Sequence, residues 1–241
     1  HTAYMLVLAE TLAEMKDSFT GKVVVIHQPA EEVPPGGAKA MIENGVLDGV
    51  DHVLGVHVMS TMKTGNVYYR PGYVQTGRAF FKLKVQGKGG HGSSPHMAND
   101  AIVAGSYFVT ALQTVVSRRL SPFETGVVTI GSFDGKGQFN VIKDVVEIEG
   151  DVRGLTDATK ATIEKEIKRL SKGLEDMYGV TCTLEYNDDY PALDKKPEFT
   201  EYVAKTLKEA DLEFGVEICE PQPPSEDFAY YAKERPSAFI Y

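Results

Sequence analysis

Two kinds of hydrophobic pattern follow one another along the chain, and the first is a pair of continuous apolar runs. Residues 23–26 read Val-Val-Val-Ile, and residues 53–58 repeat that character. Continuous runs of this kind are typical of strands covered on both faces, as in a parallel sheet between helices. Between the runs, residues 36–44 predict a short helix that Gly45 ends. We therefore expect an α/β arrangement in this part of the chain.

The pattern changes near residue 76, where apolar and polar side chains begin to alternate, as in residues 81–86. Alternation predicts a strand with one dry face and one wet face. Similar strands are predicted at 127–133, 145–152 and 182–186. The two helices between them carry apolar stripes at Ile102, Gly105, Val109, Leu112 and Val116, and at Ile163, Ile167, Leu170, Leu174 and Met177. The order strand, helix, strand, strand, helix, strand predicts a ferredoxin-like domain, inserted at residues 76–190.

Mixed helical and strand patterns return after residue 190. We expect a helix at about 198–210, a proline-rich turn at 221–224, a short helix after Ser225 and an apolar strand at 237–241. At the other end, Met5, Leu8, Leu12 and Met15 are spaced as in a helix from the first residues onward. Because both ends read as parts of elements, we expect the chain to belong to a longer polypeptide.

Composition narrows the class of protein. With 241 residues, of which 42% are apolar, the chain can bury the core of one large domain or two smaller ones. A formal net charge of -9 disfavours binding to nucleic acid or to anionic membranes. No apolar run approaches the roughly 20 residues that span a bilayer. Cys182 and Cys219 do not form a CxxC motif, and a reducing cytoplasm is the expected location.

Three chemically active side chains follow the two apolar runs. Glu31 and Glu32 come shortly after the first predicted strand, and His57 lies at the end of the second. The carboxyl ends of strands in open α/β sheets are where ligands collect. Two adjacent carboxylates at such an edge favour a bound cation or a shared proton, and neutral imidazole is a common partner of carboxylates around divalent metals. The alternatives are a solvated loop for the glutamates and a hydrogen-bonded core residue for His57.

A third cluster is the glycine-rich loop at residues 87–96, which surrounds His91 with glycines. Glycine allows a ligand to approach the backbone closely, whereas the simpler interpretation is a flexible connector. The loop lacks the GxxxxGK[ST] order of a phosphate-binding loop, so nucleotide binding is disfavoured.

An ordered set of motifs resembles the M20 family of metal-dependent amidohydrolases, in the branch of aminoacylases, hippurate hydrolases and auxin-conjugate hydrolases. The motifs are His1-Thr2-Ala3, Gln28-Pro29-Ala30-Glu31-Glu32, Gly55-Val56-His57, Gly90-His91-Gly92-Ser93-Ser94-Pro95-His96, Phe139-Asn140-Val141-Ile142 and Ser225-Glu226-Asp227-Phe228. The resemblance implies a phosphorylase/hydrolase-like catalytic α/β domain, made of residues 1–75 and 191–241. It also implies that the ferredoxin-like domain at 76–190 is a lid that mediates homodimerisation.

The resemblance further implies a role for each candidate in the hydrolysis of N-acyl or N-acetyl amino acids. Glu31 would be the general base, and Glu32 and His57 would ligate two divalent ions, such as Zn, Mn, Co or Ni. His91 and Asn140 would polarise the scissile carbonyl.

Arg153 is expected to bind the substrate carboxylate, with a surface ion pair as the equally weighted alternative. A dipeptidase of the same family is the alternative enzyme, because the acyl pocket sets specificity.

The chain departs from the family in its ligand set. Family members carry a Cys-Gly-His-Asp segment directly before the motif that opens this chain, and its Cys and first His are ligands. A further ligand His lies beyond residue 241. Because Glu32 and His57 are the ligands that remain, this chain alone is expected to bind metal weakly or not at all. The competing interpretation is a non-catalytic fragment that retains dimerisation and binding surfaces.

Overall fold

A computed structural model describes residues 1–210 and 212–241. The chain divides into two compact units. The split unit comprises His1–Val74, Leu193–Gln222 and Glu226–Tyr241, and the inserted unit comprises Gln75–Ala192 and Pro223–Ser225. Within the described residues, no helix is both long and apolar enough to cross a membrane.

The helices are α1 (Thr2–Glu14), α2 (Ala38–Glu43), α3 (Ala101–Arg119), α4 (Asp157–Tyr178), α5 (Pro197–Glu209) and α6 (Phe228–Glu234). The strands are β1 (Val53–Val56), β2 (Asn66–Tyr69), β3 (Gly77–Gln86), β4 (Gly90–His91), β5 (Gly126–Asp134), β6 (Val141–Ile142), β7 (Val145–Gly154), β8 (Thr181–Tyr190), β9 (Gly215–Ile218) and β10 (Ser237–Ile240).

The inserted unit is the predicted ferredoxin-like fold, which confirms the reading of its alternating pattern. Its antiparallel sheet has the order β5-β7-β3-β8. Alternate residues of β3 and β7 are buried beneath α3 and α4, so the core fills one face of the sheet. Phe81 and Phe108 meet edge to face at the centre of this core, with ring centroids 6.3 Å apart.

Helix α3 buries Gly105 and Leu112 of the predicted stripe, and Val109 packs against the core beside them. Its buried residues are Ala101, Ala104, Gly105, Phe108, Leu112 and Val115. Ile102 and Val116 of the predicted stripe are 39% and 36% exposed, so that part of the prediction is wrong. The small side chains beside Phe108 allow the helix to approach the sheet closely, and this rotates the packed face by about one residue. In α4 the predicted stripe is correct except for Met177, which is 70% exposed.

The split unit contains a mixed sheet with the order β1-β10-β2-β9. β1 pairs parallel with β10, and β2 pairs parallel with β9. Helix α6 packs against β1 and β10, and α2 packs against α6, around a core that includes Leu193, Phe228 and Phe239. The predicted elements at 36–44, 53–58, 198–210, after Ser225 and at 237–241 correspond to α2, β1, α5, α6 and β10. β2 and β9, of four residues each, were not predicted.

Residues 23–26 do not form the predicted strand. The structure describes this segment in full, and it has no ladder partner among the described residues. Val23 and Val24 are 53% and 37% exposed, so neither is covered as the apolar run predicted. An apolar run favours burial, but a strand also needs a neighbouring backbone for its N–H and C=O groups. Helix α1 is present as predicted, and Leu8 on its predicted stripe is 45% exposed.

Candidate functional site

The loop that carries Glu31 is held in place by Asp227, at the start of α6. Both carboxylate oxygens of Asp227 lie 2.7 Å from Gln28 Nε2. Its Oδ2 also accepts hydrogen bonds from the backbone N–H groups of Gly37 and Ala38, at 2.9 and 3.0 Å. Asp227 is 1% exposed, and protein donors take the place of water around its carboxylate. One buried carboxylate thus ties both ends of the loop to α6.

The loop needs unusual backbone conformations to make this approach. Gly36 has a φ of +75°, and a Cβ there would clash with the Asp227 carboxylate. Ala30, directly before Glu31, has a φ of +59°, in the left-handed region that costs a non-glycine residue about 1 kcal/mol. The loop therefore holds strain immediately beside the candidate base.

Three carboxylates converge at this point. Oxygens of Glu31, Glu226 and Asp227 lie within 4.8 Å of one another, and Glu226 is 7% exposed. Burial, followed by the neighbouring charges of Glu31 and Asp227, raises the pKa of Glu226 to about 8. The raised pKa favours the protonated form of Glu226, which donates a hydrogen bond to Glu31.

Glu31 itself has a raised pKa, first because of burial and then because of Glu32 and Asp227. His57 opposes this shift, which places the imidazole within electrostatic range of Glu31. A buried group of like charges is stable when it shares protons or surrounds a cation, and carboxylate oxygens are ligands for divalent cations. Carboxylate and imidazole groups of the kinds gathered here are donors that fit a divalent metal.

His57 follows β1, and its backbone N–H donates to Ile240 O at 3.0 Å. Its Nδ1 lies 2.7 Å from Val58 O, a contact that assigns the ring proton to Nδ1. When the ring is neutral, Nε2 carries the lone pair, as in histidines that bind metals. Glu32 is exposed beside Glu31.

His91 and Asn140 come together in the inserted unit. His91 ends β4, Asn140 precedes β6, and these two short strands pair with each other. The backbone N–H of Gly92 donates to Asn140 O at 2.8 Å. His91 Nδ1 accepts the Ser93 N–H at 3.2 Å and contacts Ser93 Oγ at 2.8 Å, so the ring proton is assigned to Nε2. His91 lines an open cavity of about 540 Å³.

Arg153 lies on β7, on the sheet face opposite α3 and α4. Its Nε donates to Asp151 Oδ2 at 2.7 Å, and its Nη1 donates to Ser225 Oγ at 3.2 Å. The ion pair considered as the alternative is therefore present. A carboxylate ligand would share this guanidinium with Asp151.

Glu226 and Asp227 were not assigned a role by sequence reasoning, although their motif was noted. The available signal was an adjacent pair of acidic residues directly before a short apolar helix, where an acidic side chain can cap N–H groups. That signal indicates a cap, and it does not indicate which distant N–H groups the carboxylate contacts.

Comparison with known sequences shows one family across the whole chain. Residues 1–241 match the profile of "Peptidase family M20/M25/M40". A candidate amidohydrolase of Bacillus subtilis, YhaA, is 38% identical over 241 residues, covering 100% of this chain and 61% of that protein. The N-acetyl-L-cysteine deacetylase of the same organism is 32% identical over 243 residues, covering 100% and 57%. The chain thus spans about three-fifths of the length of these relatives.

Comparison with solved structures indicates the same family. A candidate aminohydrolase from methicillin-resistant Staphylococcus aureus is 97% identical, with a TM-score of 0.94, covering 100% of this chain and 62% of that chain. The YXEP protein of Bacillus subtilis, described as a dinuclear metal binding peptidase of the M20 family, is 26% identical, with a TM-score of 0.81 and coverages of 100% and 61%. The resemblance seen in the ordered motifs is confirmed, and the chain belongs to the M20/M25/M40 peptidase family.

Proposed function

We propose that the complete polypeptide containing this chain is a metal-dependent amidohydrolase that cleaves N-acyl or N-acetyl amino acids. The observation that carries the proposal is the buried carboxylate cluster at Glu31, with His57 in electrostatic range. Family membership supports the reaction class, and the similarity to an N-acetyl-L-cysteine deacetylase supports the substrate class.

Two divalent ions, drawn from Zn, Mn, Co or Ni, would be held by Glu32 and His57 together with further ligands. The name of the structurally similar YXEP protein, a dinuclear metal binding peptidase, supports the number. When bound, such ions lower the pKa of a water molecule and polarise a carbonyl group.

Glu31 is the proposed proton carrier. Its carboxylate accepts the proton of the attacking water as the new C–O bond forms, and returns it to the amine nitrogen as the C–N bond breaks. A pKa raised by burial suits this role, because a base works best when its pKa lies near the operating pH. The hydrogen bond from Glu226 fixes the orientation of Glu31.

His91, Asn140 and Arg153 are proposed to bind the substrate. The Nε2–H of His91 and the Asn140 amide would donate to the carbonyl oxygen as negative charge develops on it. The Arg153 guanidinium would pair with the substrate carboxylate.

A homodimer through the inserted unit is also proposed. The outward face of α3 exposes apolar side chains, and β5 is an edge strand with an unpaired side in the described sheet. The exposed side chains are Ile102 (39%), Val103 (43%), Tyr107 (57%) and Val116 (36%). A second copy of the same unit would cover both features at once.

The free thiols of Cys182 and Cys219 support a cytoplasmic location.

The test is Glu31→Gln in the complete polypeptide, with Glu43→Gln as a matched exposed control. We expect turnover of an N-acetyl amino acid to fall by about 10²- to 10⁴-fold, because the proton carrier is lost while the shape is kept. Metal content, measured by elemental analysis, should stay the same in both variants. Unchanged turnover in Glu31→Gln would remove Glu31 from its proposed role.

A dipeptidase is the second candidate, favoured by the peptidase name of the YXEP protein. The ratio of kcat/KM for an N-acetyl amino acid to that for a dipeptide separates the two enzymes. A complete polypeptide that binds metal yet hydrolyses neither substrate would instead support a non-catalytic binding role.

A further inference from the structure

A second cavity lies within the split unit, away from the carboxylate cluster. It is open to solvent, has a volume of about 580 Å³, and is lined by His52, Lys196, Glu198, Phe199, Tyr202 and Pro236. This volume is in the range of small-molecule binding sites.

The cavity lies at the opposite end of β1 from His57. His52 and Pro236 directly precede β1 and β10, which run parallel with Val53 opposite Ser237. His57 follows the last residue of β1. A strand of four residues is about 13 Å long. The cavity and the proposed catalytic edge are therefore separate places on the same sheet.

Aromatic rings form one wall of this cavity. The rings of His52 and Phe199 lie 4.4 Å apart between centroids, with an angle of 34° between their planes. Phe199 and Tyr202, one helical turn apart on α5, are nearly parallel, with centroids 6.3 Å apart. Tyr202 is 64% exposed, so its ring presents a free face to a planar ligand.

Two residues of opposite charge line the same cavity as these rings. Lys196 precedes α5 and Glu198 lies in its first turn, and both are exposed. Neither side chain forms an ion pair or hydrogen bond within the described part of the chain, with each other or with another group. A ligand that carries both an ammonium and a carboxylate group could pair with both residues at once.

We infer that this cavity binds a free α-amino acid with an aromatic side chain. Its ring stacks against Tyr202 and Phe199, its carboxylate pairs with Lys196, and its ammonium group pairs with Glu198. An aromatic acid would be repelled by Glu198, and an aromatic amine by Lys196. The inference does not rest on the proposed amide hydrolysis, because the carboxylate cluster contributes no residue to this cavity.

Calorimetric titration of the complete polypeptide with L-phenylalanine tests the ligand class. We expect saturable binding, with 3-phenylpropionate and phenethylamine about tenfold weaker because each lacks one of the two charges. L-Alanine, which keeps both charges but has no ring, should also bind at least about tenfold more weakly. Absence of L-phenylalanine binding, or equal binding of phenethylamine, would overturn the inference.

Substitutions locate the binding. Lys196→Gln and Glu198→Gln should each weaken L-phenylalanine binding about tenfold. Lys205→Gln, a matched change farther along α5, should leave the affinity unchanged. Glu43→Gln, an exposed change on α2 that belongs to neither site, should also leave it unchanged. Binding that is lost in Arg153→Gln and kept in Lys196→Gln would place the amino acid elsewhere and refute this site.

Discussion

The Lys195 ammonium group lies inside the split unit, where the residue is 1% exposed and Nζ donates to Phe239 O at 3.1 Å. Burial lowers the pKa of Lys195 to about 7, against opposing effects of Cys219 and Asp194. Arg70 lowers it slightly further. Lysine is almost always exposed in folded proteins, so the burial of Lys195 could not be predicted from the residue type.

At the residue scale we predict a pH-dependent stability that depends on Lys195. Because folding lowers this pKa from 10.5, the unfolded chain binds the proton more tightly. The free energy of unfolding therefore rises with pH between about 7 and 10.5, and the penalty is complete below about pH 7.

Urea unfolding checks this behaviour. From about pH 7.5 to about pH 9.5, the free energy of unfolding of the natural chain should gain about 2 kcal/mol relative to Lys195→Met. Lys39→Met, at an exposed position of α2, should follow the natural chain. Parallel pH profiles for Lys195→Met and the natural chain would contradict the assignment.

At the scale of elements, α4 shows how local sequence sets both ends of a helix. Thr156 Oγ1 accepts the Thr159 N–H at 3.0 Å, and Gly179 ends the helix with a φ of +63°. Both residue types are those that the capping rules favour, so this helix was predictable. Helix α3 is also capped, by Asp100, yet Ile102 and Val116 of its predicted buried face are exposed. Capping rules specify where a helix ends, whereas packing determines which face it buries.

The cap of α4 gives a direct stability prediction. Thr156→Ala should lower the free energy of unfolding by about 1 kcal/mol, because the Thr159 N–H loses its acceptor. Thr162→Ala, at a half-buried position within the same helix, should have no destabilising effect, since alanine is the better helix former. Thermal or urea unfolding of the pair measures the difference. Equal stability of the two variants would show that the cap contributes nothing.

At the scale of the whole molecule, the exposed apolar face of α3 determines the proposed association. Tyr107 is the most exposed of its four apolar side chains, at 57%. Tyr107→Asp should shift a dimer toward monomers, because a charge in a buried apolar interface costs several kcal/mol. Sedimentation analysis measures the shift, with Tyr202→Asp in the split unit as the control. A dimer of unchanged affinity in Tyr107→Asp would exclude this face.

By itself, the sequence determined the four long strands and two helices of the inserted unit, their order, and the types of chemically active side chain on each loop. These features follow from periodicity and turn chemistry, which act between residues close in the chain. The tertiary structure alone decided that residues 23–26 lack a strand partner and that Asp227 binds Gln28, 199 residues away. It also brought Glu226 to Glu31. Contacts between distant segments depend on where both segments lie in the folded chain. A local sequence pattern does not specify those positions.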